Sequence, residues 1–124
     1  MSEAKTQANT HEGGCHCGKV RYRVSIDLTG PVISCNCSMC GRGGTLLSFV
    51  PAAQFTLLAG EDALTDYKFN KHAIHHLFCS TCGIKSFARG KGRDGGDNVA
   101  VNVRCLDGVE LDTLNVTKFD GRGR

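Results

Sequence analysis

The chain has 124 residues, a length typical of one domain with a modest core, and 40% of them are hydrophobic. It has no apolar run of the ~18 residues that a membrane-spanning helix needs, and its polar N-terminal residues are unlike a secretory signal peptide. The net charge of +3 is spread along the chain, and there is no tryptophan. We therefore expect a cytoplasmic protein that binds neither a membrane nor a nucleic acid.

Cysteine is the unusual part of the composition, with eight residues in the chain. This content is well above that of an ordinary cytoplasmic domain. Because disulfides do not persist in a reducing cytoplasm, the sequence favours thiols that bind a metal ion or perform chemistry.

Short apolar segments separated by Gly, Asn, Asp and Pro follow a polar start. We expect residues 1–12 to be a flexible tail and residues 13–124 to form one domain. The first predicted strand covers residues 19–26, where apolar residues alternate along one face. These residues are Val20, Tyr22, Val24 and Ile26.

The rest of the chain continues as short elements. The chain turns at Gly30-Pro31 into residues 32–34. Further strands are predicted at residues 45–50, 56–59, 65–69, 73–78, 84–88 and 99–103. Residues 52–55 could form one helical turn with Pro51 at its first position. The glycine-rich residues 91–97 lack the Gly-Lys-Ser/Thr ending of a phosphate loop and are interpreted as a hairpin connection.

No helical period persists long enough to indicate an amphipathic helix. The predicted fold is therefore mostly β, a single small domain of short antiparallel sheets.

Seven of the eight cysteines fall into three motifs. A C-x-x-C turn brings two sulfurs within reach of one zinc ion, and a glycine after it, here Gly83, allows the positive φ that such a turn needs. The motifs are C-x-C (Cys15, Cys17), C-x-C-x-x-C (Cys35, Cys37, Cys40) and C-x-x-C (Cys79, Cys82).

The number of sulfurs in each motif suggests how they are shared between metal ions. The first and third motifs supply two sulfurs each, which together complete a closed four-cysteine zinc site. The middle motif supplies three and leaves one coordination position for water or substrate, as in catalytic zinc sites. We therefore predict two zinc ions per chain, of which the second site could be partly occupied.

Several alternatives stay open. The four cysteines could be buried free thiols, and the middle site could be closed by Cys105 or by a histidine. Cys105 follows an apolar strand and is most simply a small core residue. His16 is most simply a loop residue. Because His75 and His76 are neighbours on one strand, their side chains point to opposite faces and at most one faces a given site.

The motifs resemble those of the glutathione-dependent formaldehyde-activating enzyme family, whose domain centromere protein V shares. The similar segments are residues 13–22 (GGCHCGKVRY), 35–40 (CNCSMC), 75–83 (HHLFCSTCG) and 102–108 (NVRCLDG), and the resemblance extends from about residue 13 to residue 114. It implies an all-β zinc fold of the β-tent kind. It also implies a structural zinc at the four outer cysteines and a catalytic zinc at Cys35, Cys37 and Cys40.

The resemblance further implies a reaction, the condensation of glutathione with formaldehyde to S-hydroxymethylglutathione, which is a carbon–sulfur lyase activity. Glutathione and an aldehyde are thus the expected small-molecule partners. The zinc at the middle motif would hold the glutathione sulfur as a thiolate or, alternatively, polarise the aldehyde oxygen. Ser38, His75 or His76 could transfer the proton, and Arg42 could bind a glutathione carboxylate. The alternatives are a non-catalytic zinc-stabilised binding module and a redox sensor that uses the middle cysteines.

Overall fold

Ten β-strands and one short α-helix form the part of the chain that the computed structural model describes, residues 9–36, 38–68, 74–91 and 96–119. In chain order they are β1 (Asn9–Gly14), β2 (Arg21–Ile26), β3 (Pro31–Cys35), α1 (Ser38–Gly43), β4 (Leu47–Pro51), β5 (Phe55–Ala59), β6 (Leu64–Tyr67), β7 (His75–Cys79), β8 (Lys85–Lys91), β9 (Asp97–Asn102) and β10 (Asn115–Phe119). Short 3₁₀ turns lie at Ala52–Gln54, Glu61–Ala63, Val103–Cys105 and Leu111–Thr113. No helix in these ranges has the length and apolar character needed to span a membrane.

The strands form two sheets. The smaller sheet has the order β1-β2-β5, and the larger has the order β10-β3-β4-β9-β8-β7-β6. Every neighbouring pair is antiparallel except β10 and β3, which run parallel. The prediction of a mostly β fold with small antiparallel sheets is confirmed.

The hydrophobic core lies between the two sheets, and the apolar residues that alternate along the predicted strand at residues 19–26 are part of it. The four apolar residues that the sequence places on one face are all at most 1% exposed. They belong to one cluster with residues of the larger sheet, among them Phe87, Val99 and Val101. The ring of Tyr22 stacks on Phe55 at 5.0 Å between centroids and meets the edge of Phe87 at 5.9 Å. Burial of these apolar side chains is the main source of stability for such a small domain.

The larger sheet has two faces of different character. Residues directly opposite each other on paired strands point to the same face. One face packs toward the smaller sheet and carries the row formed by Val50, Val99, Arg89 and His75. We call the opposite face the outer face, and the next row lies on it, formed by Phe49, Ala100, Ala88 and His76. Cys35 also belongs to the outer face. Side chains two residues apart on a strand share a face, so Leu47 lies on the outer face with Phe49. Ile33 pairs with Leu47 and shares its face, and Cys35, two residues after Ile33, lies there too.

The first strand begins earlier than expected. Residues 9–12 pair with β2 as part of β1, so the prediction of a flexible tail is wrong for them. Polar contacts stabilise this pairing: Arg23 binds Glu12 at 2.9 Å, and the backbone N–H of Asp107 donates to the carbonyl of Glu12 at 2.8 Å. β1 lacks apolar alternation, which is why its sequence resembles a tail. Residues 1–8 lie outside the described residues, and the domain boundary stays a prediction.

Besides β1, two further elements were not predicted. α1 has only six residues and is too short to show a helical period, and every residue of β10 is exposed, so β10 shows no buried alternation. The turn expected at residues 52–55 is a 3₁₀ turn over Ala52–Gln54, with Pro51 just before it. The connection after β8 is a hairpin, because Lys91 at the end of β8 pairs with Asp97 at the start of β9. Residues 92–95 of this connection lie outside the described residues, and so do residues 69 and 73, which were predicted to belong to strands.

Candidate metal centre

Four cysteines that are far apart in the sequence meet at one point. Their sulfurs all lie within 4.8 Å of one another, and the Sγ of Cys17 is 3.6 Å from those of Cys15 and Cys79. A disulfide would require about 2.05 Å, whereas a tetrahedron with Zn–S bonds of about 2.3 Å has sulfur–sulfur edges of about 3.8 Å. The set Cys15, Cys17, Cys79 and Cys82 therefore has the spacing of a four-thiolate zinc site and could hold one zinc ion.

The first pair of cysteines lies in a tight turn between β1 and β2. The backbone N–H of Cys15 donates to the carbonyl of Val20 at 3.1 Å, and the N–H of Val20 donates to the Sγ of Cys15 at 3.3 Å. A Cβ on Gly14 would lie 2.0 Å from the Val20 carbonyl oxygen, so only glycine allows this approach. The turn thus directs both sulfurs to one side.

The second pair lies in a matching turn between β7 and β8. The N–H of Cys79 donates to the carbonyl of Ile84 at 3.1 Å, and the N–H groups of Thr81 and Cys82 are directed at the Sγ of Cys79 at 3.4 and 3.5 Å. Gly83 has φ of +83°, as the motif predicts for the residue after C-x-x-C. Backbone N–H groups aimed at sulfur are the donors that stabilise a thiolate.

Contacts outside the cysteines hold the two turns together. The Nζ of Lys19 donates to the Oγ1 of Thr81 at 3.2 Å, across a separation of 62 residues. Beside it, Gly60 packs so closely that a Cβ there would lie 2.3 Å from the carbonyl oxygen of Lys19. The cluster therefore connects the smaller sheet, through β2, to the β7–β8 hairpin of the larger one.

The electrostatics of the four thiols are uneven. The backbone N–H groups of Cys82 and Thr81 lower the pKa of Cys79, and those of Ile84 and Cys17 lower the pKa of Cys82 to about 6. For Cys17, the N–H of Lys19 lowers the pKa, but burial and the three neighbouring thiols outweigh it and raise the pKa to about 11. Crowded thiolates repel one another, so a cation at their centre is what would allow all four to ionise. The donor set fits zinc.

The middle motif is described only in part. Cys35 is the last residue of β3 and is half-buried on the outer face. Cys37 lies outside the described residues, and Cys40 is described only by its place in α1. A metal site formed by these three residues stays a prediction. Within the described ranges, the group with metal-binding spacing is the four-cysteine one.

The chain was compared with known proteins. The family model described as "Glutathione-dependent formaldehyde-activating enzyme" matches residues 10–118. The chain belongs to this family. The resemblance predicted from the cysteine motifs is thereby confirmed.

Two relatives of this family member are informative. A Halomonas elongata protein named "Putative glutathione-dependent formaldehyde-activating enzyme" is 32% identical over 79 residues, which are 57% of this chain and 50% of the relative. The chain thus spans about half the length of this curated relative. A Rhodobacter sphaeroides protein of known crystal structure has a TM-score of 0.74 and 31% identity, over 86% of this chain and 99% of that one.

The three histidines that the sequence analysis considered differ in burial and in their contacts. His16 is exposed in the first turn, and the Nδ1 of His75 contacts the Oδ2 of Asp66 at 2.6 Å. His76 is buried on the outer face, where burial and the charge of Lys85 lower its pKa to about 4. The two histidines face opposite sides of the sheet, as expected from their adjacency.

Cys105 and Arg42 lie outside the core cluster. Cys105 is half-buried in a 3₁₀ turn rather than part of the core cluster, with its Sγ 3.9 Å from the carbonyl oxygen of Lys85. It does not belong to the four-cysteine group. Arg42 is exposed in the last turn of α1.

Sequence reasoning missed Asn102, which lies between the two cysteine regions. Its buried amide accepts from the N–H groups of Leu46 and Arg104 at 3.4 and 3.2 Å and donates to the carbonyl of Lys85 at 3.0 Å. Asn102 therefore ties the segment after α1 to the strand that leaves the four-cysteine cluster. Two signals pointed to it, its place at the start of the family-like segment 102–108 and its position as the polar end of an apolar run, but neither assigned it a role.

Proposed function

We propose that the chain is a zinc-dependent enzyme that adds the thiol of glutathione to formaldehyde, or to a related aldehyde, and reverses that addition. The observation that carries this proposal is the family match over residues 10–118, which contains all three cysteine motifs in order. The printed name of the Halomonas relative supports the same chemistry. The product is S-hydroxymethylglutathione, which places the reaction among the carbon–sulfur lyases.

The proposal assigns two zinc ions per chain. The four-cysteine cluster would hold a closed structural ion, and Cys35, Cys37 and Cys40 would hold the second. A zinc ion with three thiolate ligands supplies an open position at which a substrate thiol is deprotonated at neutral pH. The cysteines must stay reduced for both assignments, so the proposal places the protein in a reducing compartment such as the cytoplasm.

The reaction requires a proton to move between sulfur and oxygen. The thiol sulfur forms a bond to the carbonyl carbon, the π electron pair moves to the oxygen, and the proton lost by the thiol ends on that oxygen. A group that donates a hydrogen bond to the oxygen, as negative charge develops there, lowers the barrier.

His76 is the histidine that shares the outer face with Cys35. The Nζ of Lys85 lies 3.1 Å from its Nδ1. An ammonium group can only donate, so Nδ1 accepts and the neutral ring carries its proton on Nε2. The ring of His76 is thus a neutral hydrogen-bond donor rather than a general base, but β7 lies four strands from β3 in the larger sheet, about 19 Å away, so we assign His76 no contact with a substrate held at Cys35. Arg42 at the end of α1 is retained as a candidate for a glutathione carboxylate.

The decisive test is the rate of exchange at equilibrium, because thiols add to formaldehyde without an enzyme. Exchange between glutathione, formaldehyde and product is measured by NMR with wild type, Cys35→Ser and Cys37→Ser at equal protein concentration. We expect wild type to accelerate exchange and both variants to lose the acceleration. Cys105→Ser, which removes a thiol outside the motifs, serves as the control and should retain it. Equal rates for wild type, variants and buffer would exclude the proposed reaction.

A second candidate function is a non-catalytic binding module stabilised by zinc. A module of this kind requires the closed four-cysteine group alone, whose sulfurs all lie within 4.8 Å of one another. A module of this kind would bind zinc and fold but would leave the exchange rate unchanged.

A further inference from the structure

Arg89 occupies an unusual position where the two sheets meet. It lies on β8 with its side chain on the face that packs toward the smaller sheet. Its guanidinium carbon is 5.3 Å from the ring centroids of both Phe55 and Phe87, and the two centroids are 4.7 Å apart. A guanidinium above aromatic faces keeps its charge and is held in one orientation, while its N–H donors remain able to bind an anion.

Arg89 has no acidic partner among residues 9–36, 38–68, 74–91 and 96–119. Other basic residues there do have one: Arg21 contacts Asp107, Arg23 contacts Glu12, and Lys91 contacts Asp97 at 2.7 Å. The carboxylate of Asp97, on the neighbouring strand, is thus already bound by Lys91. Arg89 forms no ion pair with Asp97, and its charge only adds to the lowering of the pKa of Asp97 that Lys91 causes.

His75 lies directly across from Arg89. The two residues are partners in the β7–β8 register and therefore point to the same face, with Cβ atoms about 5 Å apart. The Nδ1 of His75 is 2.6 Å from the Oδ2 of Asp66 on β6. Because a carboxylate only accepts hydrogen bonds, Nδ1 donates to Asp66. This contact holds the imidazole with Nε2 on the side of the ring away from Asp66. The imidazole is 45% exposed, so a small solute can reach it.

We propose that Arg89 and His75 form a binding site for the carboxylate group of a small organic acid or peptide. The planar fork of arginine matches the two oxygens of a carboxylate, and the Nε2 of His75 supplies a second donor when the ring is protonated. With Asp66 included, the three side chains carry one net positive charge in that state. This charge matches a monoanion and disfavours a dianionic phosphate.

The site is separate from the four-cysteine cluster and goes beyond the proposed function. His75 begins β7 and Cys79 ends it, so the two sites lie about 13 Å apart along the strand. Loss of binding at Arg89 would leave the exchange reaction and the zinc content unchanged, so the two proposals fail separately.

The test is an NMR titration of the zinc-loaded full chain at about pH 6, with ionic strength held constant by sodium chloride. Sodium acetate is the probe, and acetamide is the neutral molecule of the same shape. We expect saturable shifts for the backbone amides of His75, Arg89 and Val99 with acetate and none with acetamide. Arg89→Met should weaken acetate binding about tenfold or more, because a charge-assisted bond is lost.

Two further variants separate the site from a packing role of Arg89. His75→Gln, at an exposed position, should weaken acetate binding about threefold without changing the circular dichroism spectrum. Arg104→Met, which removes an exposed arginine elsewhere, should leave acetate binding unchanged. The proposal is overturned if the acetate shifts stay linear, if Arg89→Met retains them, if acetamide reproduces them, or if inorganic phosphate binds more tightly than acetate.

Discussion

Cys79 has no exposed surface, yet the N–H groups of Thr81 and Cys82 are directed at its sulfur. A buried neutral thiol needs no such donors, because it behaves as a small apolar group. A buried thiolate does need them, since it has lost the hydrogen bonds of water. The local backbone of the C-x-x-C turn is therefore built for a charged sulfur, which is the state that binds a metal ion.

The first prediction concerns a single cysteine of this cluster. Cys82→Ser should lower the free energy of unfolding, because the zinc clamp joins residues as far apart as Cys17 and Cys79, which are 62 positions apart. By analogy with a covalent crosslink that closes such a loop, the loss should approach about 4 kcal/mol. The measurement is urea unfolding together with zinc content.

The matched control for this substitution is Cys105→Ser. Cys105 is also a partly buried thiol but lies outside the four-cysteine group, so its removal should cost much less. If Cys82→Ser melts within a few degrees of wild type and keeps its zinc, Cys82 is not a ligand.

At the scale of the element, β7 places two adjacent histidines in opposite environments. His75 is half-exposed beside the carboxylate of Asp66, whereas His76 is 7% exposed beside the ammonium group of Lys85. Strand alternation alone separates the two side chains, and their partners then differ in charge, Asp66 on β6 for His75 and Lys85 on β8 for His76. The lowered pKa of His76 follows from burial first and from Lys85 second.

The second prediction follows from this lowered pKa of about 4. Below the ordinary histidine pKa, the unfolded chain takes up a proton at residue 76 that the folded chain does not. This contribution to stability is present in full above about pH 6.5 and is lost as the pH falls toward about 4, at a cost on the order of 1–3 kcal/mol. His76→Gln should therefore weaken the pH dependence of stability in that window, as measured by urea unfolding.

His16→Gln is the control for that experiment. His16 is exposed, and both variants retain all four cysteines of the cluster, so acid release of a metal affects them equally. The control should follow the wild-type curve. If His76→Gln follows it as well, the buried neutral state of His76 is wrong.

At the scale of the whole molecule, apolar packing and the cysteine cluster connect the same two sheets. The core cluster joins β2 to the larger sheet, and the four sulfurs join the start of β2 to the end of β7. A domain of this size has little stability to spare, so removal of the structural metal ion should unfold it rather than loosen one end.

The third prediction is therefore an order of metal release. Purified protein should contain between one and two zinc ions per chain, because three ligands bind zinc more weakly than four. Increasing chelator should remove the ion at the middle motif first, with no change in circular dichroism, and the second loss should coincide with unfolding. Cys35→Ser should show the second step alone. Loss of both ions in a single unfolding step would make the middle site structural and favour the binding module.

The fold class, the buried face of β2 and the pairing of the cysteine motifs could be predicted from the amino-acid sequence. Each depends on a local rule: a period of two for a half-buried strand, and short cysteine spacing with a following glycine for a knuckle. The meeting of Cys15 and Cys17 with Cys79 and Cys82 could be predicted because four ligands close a zinc site and only this combination uses whole motifs.

The positions of β1, α1 and β10 and the residues around the two histidines could not be predicted, because they depend on tertiary packing. β1 and β10 are stabilised by backbone pairing with neighbouring strands rather than by their own apolar pattern, so their sequences resemble loops. The cross-strand placement of Arg89 beside His75 and the contact of Lys85 with His76 depend on the register of β7 and β8, which shifts between Leu77 and Phe78. Register is set by packing between sheets, and packing is a property of the whole chain rather than of any one segment.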